Sequence, residues 1–128
     1  MATFPVTTGD VLTAAIYNSL TAFTVGSDQT ADYTAVLADQ YQVVVPMNKA
    51  TAVAFKIPTN ASVAFPVGTA ITVLNKGAGA VTISAVTSGT TTVLSAGAVA
   101  ASPTLAQYKT AVCIKTATDT WYVVGAIA

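Results

Sequence analysis

Hydrophobic and polar positions alternate with a period of two along most of this chain, in short runs separated by Gly, Pro, Asn and Asp. Such runs, rich in Val, Ile, Thr and aromatic residues, read as β-strands bounded by turns. From Ala31 onward the pattern predicts strands over 33–37, 41–46, 51–57, 70–75, 81–85, 91–94, 105–115 and 120–127. Strands so closely spaced suit an all-β, two-sheet β-sandwich of jelly-roll type. Asn75-Lys76-Gly77-Ala78-Gly79 reads as a hairpin turn whose glycines supply the positive φ of a tight reversal. Thr116-Ala117-Thr118-Asp119 reads as a second hairpin turn, joining the last two strands.

The first thirty residues follow a different period. Leu12, Ile16, Leu20 and Phe23 recur at spacings of three and four, which predicts a short amphipathic helix over 12–23, capped by Asp10 or Thr13. A helix of about three turns is marginal alone and has to dock, either on its own domain or on a neighbouring subunit. After it, 26–30 reads as a loop. The chain therefore divides into an attachment arm at 1–30 and a sandwich at 31–128.

Alternation also assigns faces. If lysines point to solvent, Lys109 and Lys115 carry Ala111 and Cys113 outward with them and leave Tyr108, Val112 and Ile114 inside. In the final strand Trp121, Val123 and Ile127 point one way, and Tyr122, Val124 and Ala126 the other. Both of its faces are apolar, as in 43–45. Such a strand is either central in a sandwich or pressed against another subunit.

Composition narrows the chemistry. The 128 residues include no His, Glu or Arg, and the charged side chains are five Asp and five Lys, for a net charge of zero. Charged residues make up 8%, against roughly a quarter in an average domain. Without Arg or a lysine cluster there is no phosphate-tracking stripe, so nucleic-acid binding is not expected. Low charge weakens colloidal repulsion and favours permanent association. Every apolar run is interrupted well short of the roughly 18 residues a membrane helix needs, and 1–5 lacks the basic start of an export signal. The lone Cys113, in an apolar run, reads as a small buried hydrophobe.

No catalytic, cofactor or metal site is expected. A nucleophilic Ser or Thr has no histidine to activate it. Asp28 and Asp32 lack the ligand series of a calcium loop, and Gly77 and Gly79 lack the helix of a phosphate loop. Trp121, Tyr108 and Tyr122 offer a glycan-binding alternative, weighed against the usual core role of aromatics in strands.

The stretch Phe65-Pro66-Val67-Gly68-Thr69-Ala70-Ile71-Thr72-Val73-Leu74-Asn75-Lys76-Gly77-Ala78-Gly79-Ala80-Val81-Thr82-Ile83 resembles a segment common in tailed-phage virion proteins. The segments 108–115 and 119–125 resemble the closing hairpin of the same modules, and Gly9-Asp10-Val11-Leu12-Thr13-Ala14-Ala15 with Asn18 is similar to their opening. The resemblance implies a virion structural protein, a head decoration or fibre protein or a tail-fibre module, built as a homotrimer. On this reading Leu12, Ile16, Leu20 and Phe23 face the major capsid protein, and Tyr122 and Val124 face other copies of the chain. The expected location is the capsid surface, after synthesis in the host cytoplasm. A tail-fibre or host-surface glycan-binding module is the alternative.

Overall fold

The computed structural model describes residues 23–41, 43–99 and 101–127. The alternating runs fold as strands, and the chain repeatedly crosses between two sheets. Strands β1 (Thr24–Val25), β3 (Val43–Met47) and β5 (Ala70–Asn75) lie in one sheet; β2 (Tyr33–Thr34), β4 (Val53–Ile57) and β6 (Val81–Ala85) lie in the other. Each odd–even pair is an arch whose strands sit in opposite sheets, and the three arches stack in parallel: Val44 pairs with Thr72, and Phe55 pairs with both Tyr33 and Ile83. A fourth arch, from β9 (Thr104–Leu105) to β10 (Thr110–Ala117), runs antiparallel against β6 and β5. The larger sheet is completed by β11 (Thr120–Gly125), β7 (Thr92–Ser95) and β8 (Ala98–Val99), giving the order β1-β3-β5-β10-β11-β7-β8.

The all-β, two-sheet expectation holds, but the pairing departs from a jelly roll. A jelly roll is antiparallel, whereas β1–β3, β3–β5, β2–β4, β4–β6 and β7–β11 are parallel. The helix expected over 12–23 lies outside the described residues except for Phe23, which is non-helical and exposed. Residues 24–29 join the larger sheet's edge through β1 and a bridge from Gln29 to Met47.

The predicted hairpin at 75–79 is instead the corner where the third arch changes sheets. β5 pairs with β3 and β10, and β6 with β4 and β9, so the two strands flanking this turn are not partners. The corner stacks on the preceding one: Lys76 N–H donates to Met47 O at 2.8 Å and Gly79 N–H to Lys49 O at 3.0 Å. Gly77 and Gly79 are needed for this close approach rather than for positive φ. A Cβ on either would collide with the backbone of Lys49 or Thr51. Asn75, fully buried, locks the corner: its Nδ2 donates to Gly79 O and Leu105 O, both at 2.8 Å, and its Oδ1 accepts Gly77 N–H at 3.0 Å.

Between the sheets lie Val45, Met47, Ile71, Val73, Ala111, Cys113, Trp121 and Val123 from one side and Val53, Phe55, Ile57, Val81, Ile83 and Leu105 from the other. Register makes ladders of them, such as Val45–Val73–Ala111 and Ile71–Cys113–Val123. Fully burying each larger side chain contributes about 1.5–3 kcal/mol. In the other half of the chain, Ala96 and Gly97 both take positive φ, as a two-residue reversal between β7 and β8 requires. The second predicted hairpin, β10–β11, forms with Asp119 at φ 55° in its turn.

Two sequence expectations are reversed in β10. The run 105–115 is broken at 106–109, where the fourth arch changes sheets. The faces are also inverted: Ala111, Cys113 and Lys115 point inward, Val112 and Ile114 lie on the outer side, and Tyr108 is 79% exposed. Lys115, expected in solvent by its charge, is buried because Asn60 Oδ1 and Phe65 O accept its ammonium protons at 2.6 and 2.7 Å.

Replacing Asn75 by Ala removes three buried hydrogen bonds, to Gly79 O, Leu105 O and Gly77 N–H, and should cost about 2–4 kcal/mol in urea unfolding; a change below about 0.5 kcal/mol would mean the corner holds without it. Burial pushes the Cys113 thiol from 9.0 up to about 12. Burial, then the bond to the Asp39 carboxylate, likewise raises Tyr33 above its usual 10.0. A folded value above the unfolded one means the contribution is whole below the unfolded value and is lost as pH rises. Stability should therefore fall between pH 9.0 and about 12, less steeply in Cys113→Ala, when urea midpoints are measured across that range.

Candidate interaction surface

Because partnered residues on neighbouring strands share a side, the register defines what the outer face of the larger sheet presents. One row crosses five strands as Val25, Val44, Thr72, Val112 and Val124. A second crosses β5, β10, β11 and β7 as Ala70, Ile114, Tyr122 and Leu94. From β1 to β7 this is five strand spacings, roughly 24 Å. No position in either row carries a charge. Val25, Tyr122 and Val124 are 67%, 43% and 48% exposed.

The outer face of the smaller sheet is of a different kind. Its rows read Thr34–Lys56–Ser84 and Ala54–Thr82–Thr104. Lys56 lies 3.9 Å from Asp32, whose other oxygen accepts Ala54 N–H at 2.9 Å. That is the alternation of a solvated face, hydroxyls and a charge outside and apolar residues within. The larger sheet's outer face has threonines at 72, 92, 110 and 120 but no charge.

Four further charged side chains, Asp28, Lys76, Asp39 and Asp119, hold loops. Lys76 pairs with Asp28 at 2.8 Å, and Asn48 donates to the same carboxylate at 3.0 Å, tying three stacked corners together. The Lys76 bond holds the Asp28 carboxyl below its usual range. Asp39 accepts Tyr33 Oη–H at 2.7 Å and Val36 N–H at 2.9 Å. Asp119 accepts Asn60 N–H at 2.7 Å and Thr91 Oγ1–H at 3.1 Å. Among the described residues no three His, Cys, Asp or Glu side chains converge as metal ligands. A cleft lined by Ser84, Thr91, Val93 and Ser102 has hydroxyls but no titratable group.

Of the residues singled out in the sequence, Tyr122 and Val124 lie on the uncharged face, and Phe23 is 65% exposed immediately before β1. Leu12, Ile16 and Leu20 lie outside the described residues. Trp121, considered for glycan stacking, is buried edge-to-face against Phe65 with ring centroids 5.5 Å apart. It has no exposed ring face to offer. Val112 and Ile114, expected inside, lie on this outer face with Val44 and Leu94. Alternation marks both residues, but the lysine at 115 orients the strand opposite to its charge.

No protein-family model, curated protein or solved structure matches the chain.

Proposed function

We propose that this protein is a structural component of a tailed-bacteriophage virion, a capsid decoration or cement protein. Its N-terminal region, with Leu12, Ile16, Leu20 and Phe23, attaches to the major capsid protein, and its β domain trimerises through the outer face of the larger sheet. The observation that carries this reading is the uncharged outer face running through Val25, Val44, Val112, Tyr122 and Val124. Contiguous apolar surface with a solvated face opposite is what a permanent contact between polypeptides requires. The resemblance of 65–83, 108–115 and 119–125 to phage virion modules supports the same assignment. The work done is added contact: many modest interfaces act together on one particle.

A second reading, a tail-fibre or host-surface glycan-binding module, is favoured by Tyr108. This ring is 79% exposed at a sheet-switching corner, on a backbone held at φ 66°. Aromatic rings presented by loops are suited to stacking on sugars.

The mass of the native full-length protein should correspond to a trimer, and mixing with expanded capsids should move it onto the particles. Val124→Asp should yield monomers of unchanged circular dichroism that bind capsids more weakly, having lost the avidity of the trimer. A wild-type monomer that ignores capsids would overturn the assignment. On a glycan array the wild type should then be silent; a saturable, competable signal lost in Tyr108→Ala would establish the second reading instead.

A further inference from the structure

Lys115 is the one described lysine that is buried, and neither of the acceptors recorded for its ammonium is a carboxylate. Its Nζ is 2.6 Å from Asn60 Oδ1 and 2.7 Å from Phe65 O. A C=O bond is about 1.2 Å long, so Asn60 Cγ lies at most about 3.8 Å from that nitrogen. Both partners are held. The Lys115 main chain is fixed to the 58–69 loop by Lys115 N–H to Thr69 O at 2.9 Å and Gly68 N–H to Lys115 O at 2.8 Å. Asn60 is fixed from its other side by Asp119, whose Oδ1 accepts the Asn60 main-chain N–H at 2.7 Å. Lys115 is buried, as are the rings of Phe65 and Trp121, whereas Asn60 is half-buried.

A buried amine held in hydrogen-bond contact with a carboxamide supplies the two components of an amide exchange. We propose that Lys115 and Asn60 join in an intramolecular isopeptide bond, formed by the chain itself with Asp119 as a positioning residue that holds the Asn60 main chain. The Lys115 ammonium gives a proton to solvent water at the half-buried Asn60, and the freed Nζ attacks Asn60 Cγ to form a C–N bond. A second Nζ proton passes to the carboxamide nitrogen as its bond to Cγ breaks, and the ammonia released takes up the proton held by water. One amide replaces another, one ammonium ion leaves, and nothing is oxidised or reduced. Holding the two groups at near-attack distance replaces an encounter that would be very slow between free side chains. The bond would fasten the 58–69 loop to the closing hairpin across a sequence separation of 55 residues. The inference does not depend on what the protein binds.

The test is mass spectrometry on the purified, denatured full chain. Linkage lowers the intact mass by about 17 Da, the loss of ammonia. After cleavage at lysine, peptides 57–76 and 110–128 should appear as one branched species, because acylated Lys115 is no longer cut. Asn60→Ala should restore the full mass and release 110–115 as a separate peptide. Asp119→Ala should slow the linkage at least tenfold over days at 37 °C, with circular dichroism confirming that it folds. Wild-type protein that yields separate 57–76 and 110–115 peptides would overturn the proposal. So would an ammonia loss confined to 57–76, which marks ring closure at Asn60 alone.

Discussion

The carboxamide of Asn75 sits where the architecture is decided. The third arch must leave one sheet and enter the other within the five residues between β5 and β6, and a corner that tight leaves main-chain groups pointing into the core. Two carbonyls and one amide there bond the Asn75 side chain, the amide of Gly77 having only a longer second contact at 3.4 Å to Met47 O. One of the carbonyls belongs to Leu105, in β9 of the fourth arch, so the same side chain joins the third corner to the last arch. Unpaired, each of these groups would cost about 1–3 kcal/mol in a site closed to water. The parallel stacking of β1, β3 and β5, and of β2, β4 and β6, follows once every arch turns at the same level.

Lys115 is a second polar group retained in the interior, and it determines which side of β10 is core. Alternation along Ala111, Val112, Cys113 and Ile114 is equally apolar on both sides, so period alone cannot orient the strand. A lysine with carbonyl acceptors inside can be buried, and the loop 58–69 supplies two of them. Ala111 and Cys113 turn inward with it. Val112 and Ile114 are thereby delivered to the outer face, beside Tyr122 and Val124.

These two side chains also mark the boundary of what the sequence discloses. Strands β4, β5, β6 and β11 are legible from local alternation, because side-chain period is a property of the strand itself. Pairing partners are not. Asn75-Lys76-Gly77-Ala78-Gly79 has the composition of a hairpin turn, and what makes it a corner is the backbone of Lys49 and Thr51 packed against Gly77 and Gly79. That contact is remote in sequence and leaves no local trace. The apolar character of Tyr122 and Val124 could be read directly, whereas the continuity of their face with Val25 and Val44 depends on the parallel register of β1, β3 and β5, which no local pattern specifies.

The edges of the two sheets bear on how copies could meet. β1 and β8 border the larger sheet and β2 and β9 the smaller, and each is two residues long. Short edges offer few free amides and carbonyls to another strand, which is one way β proteins avoid joining edge to edge. Association through hydrogen-bonded strand addition is therefore disfavoured on every side. The smaller sheet's outer face carries Lys56, Ser84 and threonines that water already satisfies. The larger sheet's outer face gains most from being covered, because its rows expose no charge to desolvate and its polar positions are the threonines at 72, 92, 110 and 120. Contact made there is side chain against side chain. It is set by the flatness and width of the stacked arches, and so by the same corners that place the core.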